Sequence, residues 1–209
     1  MLNKASIFAI DRHRINIDGS GIVTLVGFMG CPLSCKYCIN NICHHINSTN
    51  HVKINPHELY EKIKIDDLYF RASGGGVTFG GGEPGLQYAF IEEFRKLCPT
   101  SWNINIETSL NFSSDYLEIL IRNVDLFIID VKDLDPNIYH SYTKGYVTPV
   151  IKNLLLLRRN VPMSRIKIRV PHIPFFNTKI DVDDTITRLH SLGFDNLDIC
   201  TYKILNNDK

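Results

Sequence analysis

"DLFIIDVK", residues 125–132, places four consecutive apolar residues, Leu126 to Ile129, between two aspartates. A strand sends successive side chains to opposite faces, so an unbroken apolar centre makes both faces hydrophobic. Strands buried on both faces belong to parallel sheets covered by helices. The chain on either side repeats this signal. Strands are expected at "GIVTLVGF" (21–28), "GVTFGG" (76–81), "NINIET" (103–108), "RIKIRVP" (165–171) and "NLDICTY" (196–202). Helical spacing of apolar residues predicts helices over 55–65, 86–98, 113–123, 147–160 and 181–193. Asn-Pro opens the first of these, Ser113 caps the third and Gly193 closes the last. The result is six strands alternating with five helices, an α/β pattern with a parallel sheet. Six units fall short of the eight in a closed barrel. An open doubly wound sheet and a partial barrel both fit.

The 209 residues suit one domain, 1–209, with a substantial core. Charged residues make up 22% and the formal net charge is +1, so no global basic field recruits nucleic acid. No apolar run approaches the roughly 20 residues of a membrane span. The N-terminal "MLNKASIFAIDRHR" has no signal-peptide pattern, and a cytoplasmic location is expected. In that reducing compartment the six cysteines are not read as a disulfide framework. Cys98 and Cys200 stand alone and read as buried small hydrophobes. "DRHR" (11–14) reads as a solvated charged cluster.

In parallel α/β folds, chemistry gathers at the C-terminal ends of the strands. There the sequence places Cys31, Cys35 and Cys38 after the first strand and Gly81-Gly82-Glu83 after the second. Glu107 and Thr108 end the third strand; Asp130 and Lys132 end the fourth. The cysteines, in "GCPLSCKYC" (30–38), are spaced Cys-x3-Cys-x2-Cys. Zinc wants four ligands, which Cys43, His44 or His45 could complete. Three thiolates on one loop also suit three irons of a [4Fe–4S] cube with the fourth iron open. "GGGVTFGGGEP" (74–84) alone reads as a flexible turn or an anion-binding nest. Asp130 and Lys132 share one side of an extended chain; alone they are an exposed pair. Arg169, on the fifth strand, alone reads as a salt-bridged barrel arginine, and His172 as structural.

Cys31-x3-Cys35-x2-Cys38, with Tyr37 before the last cysteine, resembles the signature of the radical S-adenosylmethionine superfamily. The resemblance covers nearly the whole chain and implies a partial (β/α)6 barrel. It further implies a [4Fe–4S] cluster on the three cysteines and S-adenosylmethionine on the open iron, cleaved reductively to a 5′-deoxyadenosyl radical. Gly81, Gly82 and Glu83 resemble the GGE motif that meets the methionine amino group. Lys132 would approach the carboxylate, and Arg169 the ribose or carboxylate. Tyr37 would pack near the adenine. Asp130, Glu107 and Thr108 could frame a monovalent cation.

Within the superfamily, "IDGSGIVTLVGFMGCPLSCKYCIN", "GGGVTFGGGEPGLQ", "DLFIIDVKDLDPNIYHSYT" and "IRVPHIPFFN" are most similar to the pyruvate formate-lyase activating enzyme group. That implies hydrogen abstraction from a glycine of a glycyl radical enzyme, with flavodoxin or ferredoxin as electron donor. Departures point the other way, toward another substrate such as a peptide or small metabolite. Val23 stands where the group has Arg, and Lys203 where it has His; separately, Glu107, where the group has Asp, counts against the cation site.

Overall fold

The structure, a computed structural model, describes residues 3–45, 51–202 and 204. Its strands are β1 (Ala5–Ile15), β2 (Ile22–Phe28), β3 (Val52–Ile54), β4 (Gly76–Gly81), β5 (Asn103–Thr108), β6 (Leu126–Asp130), β7 (Ile166–His172) and β8 (Leu197–Thr201). Its helices are α1 (Pro56–Ile63), α2 (Asp67–Ser73), α3 (Tyr88–Leu97), α4 (Ser114–Asn123), α5 (Pro136–Thr143), α6 (Thr148–Asn160) and α7 (Lys179–Ser191). One sheet holds all eight strands in the order β3-β1-β2-β4-β5-β6-β7-β8. The six strands expected from sequence, β2 and β4 to β8, run parallel to one another. The sheet stays open, with β3 and β8 at its edges, as a partial barrel does.

β6 shows why the pattern was readable. Phe127, Ile128 and Ile129 are all buried. Phe127 and Ile129 belong to the main core with Leu117, Leu120, Leu154 and Leu157 of the covering helices. Ile128 points the other way, into the cavity wall with Asp130. Register then sets the site: Glu107 aligns with Ile128, and Asp130 with Arg169. A one-residue slip would turn these side chains to the opposite face.

The structure adds elements that the sequence reading lacked. β1 pairs antiparallel with β2 and β3, extending the sheet beyond its parallel part. Its half-exposed, charged sequence hid it from a search for apolar runs. The "DRHR" cluster is not merely a solvated face. Arg12 donates to Asp66 from Nε at 2.8 Å, and His13 Nε2 lies 3.1 Å from the same carboxylate. Thr24 donates a further hydrogen bond at 3.2 Å, and the Asp66 side chain is fully buried. Two short helices, α2 and α5, were also missed. α5 is defined by its ends rather than by an apolar stripe: Asp135 caps it, Pro136 opens it and Lys144 leaves it in a left-handed turn. Cys200 is exposed, against expectation, because β8 has a neighbour on one side only.

Asp66 anchors the added strand to the body of the domain. Burial acts to raise its pKa, but the hydrogen bonds and charge of Arg12, with His13 and Thr24, overcome this and leave it below the ordinary 3.8. Asp66→Asn should lower unfolding stability by about 2 kcal/mol, seen as a reduced urea midpoint. A depressed folded-state pKa contributes stability above the unfolded value, lost as pH falls through the folded-state pKa. The variant's stability should therefore fall less steeply than the parent's below about pH 4.

Candidate functional site

Cys31, Cys35 and Cys38 lie on the loop that leaves β2, and all three line one cavity of about 160 Å³. The loop is held by backbone bonds at many points. Gly30 donates to the Cys43 carbonyl at 2.8 Å, and the Gly30 carbonyl accepts from Glu83 N at 2.8 Å. Ser34 N and Lys36 N donate to the carbonyls of Thr143 and Tyr142, at 2.8 and 3.1 Å. The orphan carbonyls at the C-terminal end of α5 thus carry the cysteine loop. Gly82 has to be glycine here, since a Cβ would lie 2.1 Å from the Gly30 carbonyl oxygen.

Burial, then the charge of Glu83, pushes the Cys31 thiol up to about 12; burial pushes Cys35 up to about 11. A hydrogen bond from Cys43 brings Cys38 down to about 6. Among the described residues, no three His, Cys, Asp or Glu side chains are grouped to hold a single metal ion. A [4Fe–4S] cube instead takes one thiolate at each ligated iron, so its ligands need not converge on one point. Three thiols around one polar-walled cavity fit that group. The cationic irons would also supply the charge that buried thiolates require.

Glu83 is buried, 1% exposed, and its carboxylate accepts four hydrogen bonds. Thr108 Oγ1 and Gly85 N donate to Oε1 at 2.6 and 3.0 Å. Ser109 Oγ and N donate to Oε2 at 2.6 and 2.9 Å. Burial raises its pKa against these donors. No cation among the described residues pairs with it. Ser109 was not singled out in the sequence; its position just past the end of β5 was the available signal.

The remaining charges form two pairs, one reaching from β7 across β6 to β5 and one within the end of β6. Arg169 Nη1 donates to Glu107 Oε1 at 2.7 Å, and its Nη2 reaches the Ile17 carbonyl at 3.3 Å. Lys132, 6% exposed, pairs with Asp130 and donates to the Tyr202 hydroxyl at 3.3 Å. Burial acts to lower the Lys132 pKa, but Asp130 together with Tyr202, Cys35 and Tyr142 overcomes this and raises it. The three residues expected to frame a cation each have a partner already: Glu107 has Arg169, Thr108 has Glu83, and Asp130 has Lys132.

Gly81, Gly82, Glu83, Thr108, Asp130, Lys132 and Arg169 all share the cavity with the three cysteines. Tyr37 is placed elsewhere. Its ring packs against Tyr142 and Phe176, with centroids 6.2 and 5.7 Å away, in a buried aromatic cluster that touches Cys35. Tyr202 also lines the cavity; the sequence placed it only at the end of the last expected strand. Val23 is fully buried. Lys203 lies outside the described residues.

Residues 25–189 match the radical SAM superfamily. The chain belongs to this superfamily. A pyruvate formate-lyase-activating enzyme of Clostridium pasteurianum is 38% identical over 61% of this chain and 52% of its own length. The 4-hydroxyphenylacetate decarboxylase activating enzyme of Clostridioides difficile (strain CD196) is 27% identical over 97% of this chain and 83% of its own length. The chain thus spans about half of the first relative and most of the second. Among solved structures, Streptococcus suis SuiB bound to precursor peptide SuiA superposes with a TM-score of 0.65 at 15% identity. That overlap covers 87% of this chain and 39% of SuiB, and it shows the fold alone.

The radical SAM assignment makes the roles of the cysteines separable. After anaerobic reconstitution, the unsubstituted chain should hold about four irons and four sulfides. Cys31→Ala, Cys35→Ala and Cys38→Ala should each hold less than half of that by iron and sulfide assay. Cys43→Ala should hold the full amount, because Cys43 is not among the cavity-lining residues.

Proposed function

We propose that this chain binds a [4Fe–4S] cluster on Cys31, Cys35 and Cys38 and S-adenosylmethionine beside it, and that it activates a glycyl radical enzyme. The observation that carries this reading is the shared cavity. Three cysteine thiols face it from one loop, while a carboxylate, an ammonium and a guanidinium face it from other strand ends. In radical SAM chemistry the bound cluster supplies one electron to S-adenosylmethionine, whose C–S bond breaks to give the hydrogen-abstracting 5′-deoxyadenosyl radical.

The charges in the cavity suit an amino-acid zwitterion. Lys132 has three donors, two of them engaged by Asp130 and Tyr202, and the third is free for a carboxylate. Glu83 is buried without a cationic partner and burial raises its pKa, so a ligand ammonium near the Gly81-Gly82-Glu83 turn would stabilise its charged form. Arg169, held by Glu107, is placed for ribose or carboxylate oxygens. Charged groups at three strand ends would fix the ligand before any electron arrives, which limits wasteful radical release.

The activase role rests on similarity to activating enzymes along most of the chain. A small flavodoxin or ferredoxin is the fitting electron donor. Val23 favours a second reading: where the activases carry Arg, this chain has a buried aliphatic side chain. On that reading the same radical acts on a peptide or a small metabolite. No helix among the described residues is long and apolar enough to cross a membrane.

Incubation with a glycyl radical enzyme encoded near the same gene separates the two readings. The activase reading expects a glycine-centred doublet by EPR, dependent on S-adenosylmethionine and reductant. 5′-Deoxyadenosine formation without any partner radical would sink it and favour the second reading.

A further inference from the structure

We propose that Tyr202, backed by Tyr142, is a positioning residue that fixes the Lys132 ammonium so that its remaining N–H donor faces the cavity. This rests on the reading of Lys132 as the contact for the ligand carboxylate. A lysine side chain is long and flexible, and one anionic partner does not set its direction. Lys132 is held from two further sides by one residue. Its Nζ donates to the Tyr202 hydroxyl at 3.3 Å and lies 4.9 Å from the centroid of the Tyr202 ring. The second distance falls within cation–π range. Together with Asp130, these contacts leave a single unengaged donor on the ammonium.

Tyr202 is itself fixed. Its backbone N–H donates to the His172 carbonyl at 2.8 Å, continuing the β7–β8 pairing. Its ring meets the Tyr142 ring edge-on, with centroids 6.0 Å apart and an interplanar angle of 73°. The Tyr142 hydroxyl is buried and makes no well-formed hydrogen bond. Leaving such a group unpaired is costly in a packed interior. Tyr202 accepts from Lys132, so its own hydrogen is free to turn toward Tyr142. The same Tyr142 supplies the backbone carbonyl that holds the cysteine loop at Lys36. The lysine and the cysteine loop are therefore referenced to one aromatic cluster.

The test is anaerobic equilibrium dialysis of cluster-loaded protein against S-adenosylmethionine and its decarboxylated analogue. Tyr202→Ala should weaken binding of S-adenosylmethionine about tenfold. Tyr202→Phe, which keeps the ring, should stay within about threefold. Iron content should be the same in both variants. In a Lys132→Met background, or with the decarboxylated analogue, Tyr202→Ala should have no further effect. An equal loss in both backgrounds would overturn the inference, because Tyr202 would then act independently of Lys132. So would unchanged binding in Tyr202→Ala. If the unsubstituted protein fails to bind S-adenosylmethionine, the functional reading falls and this inference falls with it.

Discussion

The Glu83 carboxylate is the fixed point of the site. It ties the turn after β4 to the end of β5 through Thr108 and Ser109, while its backbone N–H holds the cysteine loop at Gly30. Three strand ends are thereby locked in one arrangement by a single buried residue. Four donors make the buried carboxylate tolerable, yet none of them is a cation. The site is thus rigid and still electrostatically incomplete, a combination that suits binding of a positively charged group.

A parallel sheet makes this convergence possible. Each crossover returns the chain to the same end, so side chains distant in sequence arrive at one rim. Charge is then distributed in opposed pairs. Glu107 holds Arg169 and Asp130 holds Lys132. In each pair the cation keeps donors in reserve, because ammonium and guanidinium groups offer more N–H bonds than one carboxylate uses.

The parallel strands and the cysteines were legible in the sequence because their signals are local. Four apolar residues in a row define β6, and three thiols within eight positions define the cysteine loop. The resemblance to radical SAM proteins then supplied the partial barrel, which periodicity alone left open between two architectures. Other features depend on contacts that no short window contains. Tyr202 meets Lys132 across 70 positions, and Arg12 meets Asp66 across 54. β1 was hidden because its charged residues are half-exposed and find their buried partner, Asp66, far along the chain. The packing of Tyr37 was likewise hidden, since its neighbours in space, Tyr142 and Phe176, come from other crossovers.

Reductive cleavage of S-adenosylmethionine in the three-cysteine cavity is the step on which the proposed function stands. The most direct measurement is the yield of 5′-deoxyadenosine and methionine from reconstituted protein given S-adenosylmethionine and dithionite under anaerobic conditions. The account predicts both products in equal amounts from the unsubstituted chain and neither from Cys35→Ala. Absence of both products from protein carrying a full complement of iron and sulfide would contradict it.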